Sequence, residues 1–129
     1  MTPPDLTWVA RGFDGLSPRK INTGQCLDWA LVVQGAYPEA RLLQFPMFGG
    51  HAVVRLRGRY YDAESPRGVV DVRRLRFFRE LLDEEPDPEP LLEPIDAMAL
   101  THYWDRDAAS CAAWRAAGRA AVAPRAHRR

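Results

Sequence analysis

Cys26 heads an apolar segment and follows Gly24 and Gln25 in the run NTGQCLDWA, residues 22–30. Cysteine attacks carbon as a thiolate, and a helix N-terminus favours an anion through its unpaired N–H groups and its dipole. Those same N–H groups can hold the oxyanion that forms when an acyl carbon is attacked. The chemistry also needs a base within hydrogen-bond reach and a third group that orients the base. His51, which follows Phe48-Gly49-Gly50, is the candidate base. Asp62 is the candidate orienting carboxylate. Glu64 has the same strand parity and is the second choice. Gln25 and Gly24 are candidates for positioning the oxyanion or substrate, the glycine by permitting a sharp entry into the helix.

These groups need a helix and a hairpin to meet. Cys26, Trp29, Ala30 and Val33 recur at i, i+3, i+4 and i+7, which predicts an amphipathic helix ending near Gly35 and Pro38. RLLQF (41–45) reads as a short buried strand. From His51 to Arg57 the residues alternate, with Ala52, Val54 and Leu56 on one face and His51, Val53, Arg55 and Arg57 on the other. Gly58 marks a turn, and Arg59 to Ala63 return as a second strand. An even loop sets Val53 opposite Asp62, so that His51 is the diagonal neighbour of Asp62 on one sheet face; an odd loop flips this parity.

The remaining segments read as follows. Residues 5–16 predict a short helix capped by Asp5, with Leu6, Val9 and Phe13 near helical spacing. Residues 17–25 read as a connector and SPRG (65–68) as a loop. Residues 71–82 predict a short helix capped by Asp71, with Val72, Leu75, Phe78 and Leu82 inward. The acidic, proline-rich stretch 83–94 reads as a surface linker. Residues 95–104 fit helix or strand, 105–123 are alanine-dense and helical by propensity, and a basic tail follows. The expected fold class is α+β, with a core over 1–82, a linker over 83–94 and a helical C-terminal extension over 95–129 that packs on the core.

A chain of 129 residues is expected to form one domain with no need of a disulfide or metal. Its formal net charge of +1 gives no whole-molecule reason for a membrane or nucleic-acid partner. No signal peptide or spanning stretch is read, so the expected location is cytoplasmic. Cys26 and Cys111 leave both a disulfide and two free thiols open. The paired ligand spacing of a structural zinc site is missing, so no metal is expected.

GQCLDWA followed by GHAVVRLRGRYYDAESPRG resembles the transglutaminase-like branch of the papain-like cysteine enzymes. Gly24, Cys26, Asp28 and Ala30 match that family's helix opening, His51-Ala52 its strand opening, and Tyr61-Asp62 the end of its next strand. The resemblance spans roughly residues 22–70 and looks closest to small bacterial or phage-type members. The interval from Cys26 to His51 is short for the family. The resemblance implies a papain/transglutaminase-like core with Cys26 as nucleophile, His51 as base and Asp62 as orienter. It carries over no substrate assignment; the expected activity is thiol-dependent acyl transfer on a protein or peptide, by hydrolysis of a peptide bond or a glutamine-type side chain, with no cofactor.

Plainer readings stand beside these. Cys26 could be a buried helix residue beside Trp29. Asn22 or Thr23 would cap the helix, and Asp28 would be a first-turn carboxylate turned away from the thiol. Cys111 would be core or interface packing near Trp114. Arg55, Arg57, Arg59, Arg73, Arg74, Arg76 and Arg79 could form a basic face. The rival to an enzyme is therefore a catalytically silent module that binds a protein or nucleic acid through that face.

Overall fold

Ser17-Pro18 starts a helix, α1 (Pro18–Gly24), in which the Ser17 hydroxyl accepts from the Lys20 N–H and Pro18 occupies the first turn. The expected connector is thus helical from Pro18. Proline costs nothing at a position whose N–H has no intrahelical partner. Gln25 closes α1 and opens α2 (Cys26–Ala36). The computed structural model containing these elements describes residues 2–46, 50–80 and 89–123.

The expected amphipathic stripe understates α2. Nine of its eleven residues are buried, Asp28 and Gly35 among them. A helix covered on all sides belongs inside the molecule, between two layers. One layer is an antiparallel sheet of β1 (Arg41–Phe45), β2 (His51–Leu56), β3 (Arg59–Asp62), β4 (Ser65–Val69) and β5 (Glu93–Pro94), in the order β4-β3-β2-β1-β5.

The β2–β3 turn has two residues, Arg57 (φ 50°) and Gly58 (φ 80°). Two successive positive φ values are the twist-matched way to close a tight hairpin. The resulting register pairs Val54 with Tyr61 and Leu56 with Arg59, and its continuation sets Val53 opposite Asp62. Ala52, Val54, Leu56, Leu42 and Tyr61 pack on the α2 side. Leu43, Phe45, Val53 and Tyr60 pack on the other, against Val72, Leu75 and Phe78.

SPRG is not a free loop. It lies within β4 at the sheet edge, where a proline removes no ladder bond that matters. Gly68 (φ 78°) passes so close to the Tyr61 ring that a Cβ would come within 2.7 Å of it. Residues 5–16 contain a 3-10 helix, Thr7–Gly12, rather than an α-helix, and its cap position is Leu6. Asp5 instead accepts from the Thr7 N–H and hydroxyl. The expected helix over 71–82 is divided. Asp71 caps a 3-10 turn at Val72–Arg74, Leu75 is extended, and α3 (Arg76–Arg79) follows. Leu82 lies outside the described residues.

Half of the proline-rich linker, residues 83–88, also lies outside them, but its second half is structured and includes a 3-10 turn at Glu89–Leu91. Glu93–Pro94 is an edge strand on β1. The ambiguous 95–104 segment holds α4 (Ala97–His102), capped by Asp96, and Asp107 then caps α5 (Ala108–Ala121).

Helix α5 is the second layer over α2. A Cβ added at Gly118 would overlap the Val32 carbonyl, and one at Gly35 would overlap the Arg115 carbonyl. The two backbones therefore approach closely at two glycines. Trp114 stacks on Phe13 with ring centroids 5.0 Å apart, and Cys111 is buried and free, as is Cys26. Among the described residues no helix is long and apolar enough to cross a membrane.

Alanine normally improves a helix by up to about 1 kcal/mol over glycine. At Gly118 the overlap with Val32 should outweigh that gain. Gly118→Ala is expected to cost about 1–3 kcal/mol, read as a lower denaturation midpoint. An unchanged or raised midpoint would contradict the close approach.

Candidate active site

Cys26 is the first residue of α2, and Trp29 is the first whose N–H bonds back, to the Gln25 carbonyl at 3.0 Å. The Gln25 side chain makes no capping bond. The N–H groups of Cys26, Leu27 and Asp28 thus lie in the turn that has no intrahelical acceptors. The Ala52 N–H donates to the Cys26 sulfur at 3.5 Å, which brings the start of α2 to the start of β2.

His51 precedes Ala52. Its Nε2 lies 3.1 Å from Asp62 Oδ2, and the Cys26 thiol lies near enough to the ring to raise its pKa. With Nε2 engaged by the carboxylate, Nδ1 is the nitrogen left for sulfur. The other oxygen, Asp62 Oδ1, accepts from the Glu64 and Ser65 N–H groups at 3.0 Å each. The β3–β4 turn therefore holds the carboxylate, the carboxylate holds the imidazole, and the imidazole faces the thiol.

The Glu64 carboxylate is bonded elsewhere than to His51. It accepts from Asn22 Nδ2 at 3.0 Å and pairs with Arg76 at 3.4 Å, while Asn22 Oδ1 accepts from the Ala63 N–H at 3.2 Å. Its role is to brace the turn that carries Asp62. Asn22 and Thr23 do not cap α2, since both lie inside α1 and Thr23 bonds back to the Arg19 carbonyl. Gly24 does not supply a left-handed entry. It is absent from the positive-φ glycines, and an added Cβ there would meet nothing within 4 Å. The change of direction is made at Gln25 (φ −132°, ψ 27°).

The group is enclosed, with 6% of Cys26, 1% of His51 and 1% of Asp62 exposed. Phe77 of α3 lies over the His51 ring, with centroids 4.3 Å apart and planes 18° apart, and Phe78 presents its edge at 6.3 Å. Burial is the largest influence on the His51 pKa and pushes it down. Hydrogen bonds to Asp62 and then Cys26, with the charges of both, more than reverse this and raise it to about 9. The Phe77 face adds attraction for a cationic ring.

Sequence reasoning missed Phe77, which is one position off the inward stripe of 71–82. It also missed the partner of Asp28. That carboxylate is buried and takes Arg106 Nε at 3.1 Å and Nη2 at 3.4 Å. The same guanidinium donates to the Trp104 carbonyl at 3.0 Å, tying the C-terminal segment to the first turn of α2.

The basic residues are largely engaged within the molecule. Arg55 lies over the Tyr60 ring, and Arg57 lies over Tyr37 and pairs with Glu39. Arg59 donates to the Arg67 carbonyl, and Arg73 and Arg76 have carboxylate partners.

Compared with models of protein families, with curated proteins and with solved structures, the chain gives no match.

The raised His51 pKa has a thermodynamic sign. An unfolded histidine titrates near 6.5 and the folded one near 9, so the folded state binds the proton more tightly. The stabilisation is fully present below pH 6.5 and is lost as pH rises through 9. Unfolding free energy should therefore fall between pH 6.5 and 9, and His51→Gln should flatten that part of the profile. A wild-type profile that is flat or rises across the window would contradict the assignment.

Proposed function

We propose that the protein is a thiol-dependent acyl-transfer enzyme whose reaction is amide hydrolysis on a protein or peptide. Peptide bonds and glutamine-type side chains both belong to this class of substrate. The single observation that carries the reading is the linked set of contacts from the β3–β4 turn through Asp62 and His51 to Cys26 at the head of α2. Structural burial alone requires no such alignment of nucleophile, base and orienter. The resemblance of GQC, HA and YD to the transglutaminase-like branch of papain-like enzymes supports the same roles and the same finer fold.

In the proposed cycle the thiol proton resides on His51 and the Cys26 sulfur attacks the amide carbon, forming the S–C bond. The carbonyl π electrons move to oxygen, and the Cys26 N–H holds that oxyanion, with the Gln25 side chain as a second candidate donor. The oxyanion collapses, the C–N bond breaks, and the His51 proton goes to the leaving amine. Water then attacks the thioester with His51 taking its proton, which releases the acid and restores the thiol. An acceptor amine in place of water gives transfer. Asp62 keeps the imidazole in one orientation throughout.

The enclosure of Cys26 and His51 favours the second reading, a catalytically silent binding module. Alkylation separates the two. Cys26 should react with iodoacetamide quickly at pH 6, as located by peptide mass analysis in a Cys111→Ala background. His51→Ala should slow that reaction by about tenfold or more. A slow reaction indifferent to His51 would favour the silent module.

A further inference from the structure

A cavity of about 340 Å³ is lined by Gln44, Pro46, Gly50, Glu93, Tyr103 and Trp104, and so comes within one residue along the chain of His51. Three connections tie it to the site. Gly50 directly precedes His51. Gln44 pairs across the sheet with Ala52, the residue whose N–H meets the Cys26 sulfur. Arg106 links the Trp104 carbonyl to Asp28 in the first turn of α2.

The lining is chemically one-sided. Trp104 Nε1–H donates to Gln44 Oε1 at 2.7 Å, and Gln44 Nε2 donates to Glu93 Oε2 at 3.3 Å. The buried Gln44 amide is thereby fixed, with its acceptor end on the indole and its donor end on the carboxylate. Tyr103 is exposed beside Trp104, and Glu93 is exposed as well. Among the described residues the cavity thus offers two aromatic side chains and one carboxylate, and none of those lining it is cationic. The Arg106 guanidinium near Trp104 is already neutralised by Asp28.

Aromatic faces attract a cation electrostatically, and a carboxylate gives it a hydrogen-bonded counter-charge. An acidic side chain would meet the like charge of Glu93. An apolar one would gain the rings but bring no counter-charge to the carboxylate.

We propose that this cavity receives a cationic side chain, lysine or arginine, from the peptide that acylates Cys26. The inference rests on the acyl-transfer reading and specifies its substrate. It makes Glu93 and Trp104 specificity-determining residues of the same site.

The test uses the full chain and peptidyl acyloxymethyl ketones that differ at a single residue. That residue is lysine, its uncharged near-isostere norleucine, or glutamate, placed in turn at the first, second and third positions on the acyl side. Labelling of Cys26 is timed by mass spectrometry. At one of these positions the lysine reagent should label about tenfold faster than norleucine, with glutamate slowest. Glu93→Gln should bring lysine and norleucine together, and Glu93→Lys should turn the preference toward glutamate. Tyr103→Ala, at an exposed position, should shrink the lysine advantage by removing one aromatic wall.

Equal wild-type rates for lysine and norleucine at all three positions would overturn the proposal, as would a lysine advantage that survives in Glu93→Gln. Rapid alkylation of the same wild-type sample by iodoacetamide, dependent on His51, would assign that failure to the cavity and leave the thiol chemistry standing. A thiol inert to every reagent would overturn both.

Discussion

The buried hydrogen bond between His51 and Asp62 is the constraint around which the fold is arranged. Two ionisable side chains withdrawn from water are tolerated only when their polar atoms are matched. Here each has a partner: Asp62 Oδ2 takes the imidazole, Oδ1 takes two turn N–H groups, and the ring meets the Cys26 thiol. Each match dictates a piece of backbone. A slip of one residue in the β2–β3 register would send Asp62 to the other face, so the two-residue turn at Arg57-Gly58 is part of the site. The β3–β4 turn must present the Glu64 and Ser65 N–H groups inward, and Asn22 and Arg76 brace it through the Ala63 N–H and the Glu64 side chain.

The thiol reaches this pair because α2 is buried between two layers. The sheet covers one side and α5 the other, and the glycines at 35 and 118 let the helix backbones meet. The C-terminal segment is therefore structural as well as peripheral. Through Asp28–Arg106 and Trp104–Gln44 it fastens the first turn of α2 to the end of β1. A charged pair of this kind adds little net stability compared with apolar packing, but it specifies one arrangement of the elements it joins. Both connections converge on the backbone around Cys26.

Local chemistry in the sequence announced the hairpin and the three aligned side chains. Alternation from His51 to Leu56, a glycine at the turn and the parity of Asp62 were enough to place His51 and Asp62 on one sheet face. Long-range contacts were not legible in the same way. Asp28 and Arg106 stand 78 positions apart, and neither residue type advertises a partner. Gly35 read as a helix stop because its close approach to Arg115 exists only once α5 has docked. Proline and glycine misled twice. Pro18 starts a helix, and SPRG forms an edge strand, since a breaker's meaning depends on its position in the element. Phe77 was invisible because its role depends on where the 3-10 turn at Val72–Arg74 points the next helix.

The most direct test of this account is the protonation state of the His51 ring, read by nitrogen NMR on protein labelled with ¹⁵N-histidine. The account predicts that both ring nitrogens carry protons at pH 7, that the ring titrates near 9, and that Asp62→Asn lowers that midpoint. A wild-type ring that is a neutral tautomer at pH 7, with a midpoint that Asp62→Asn leaves unmoved, would contradict it.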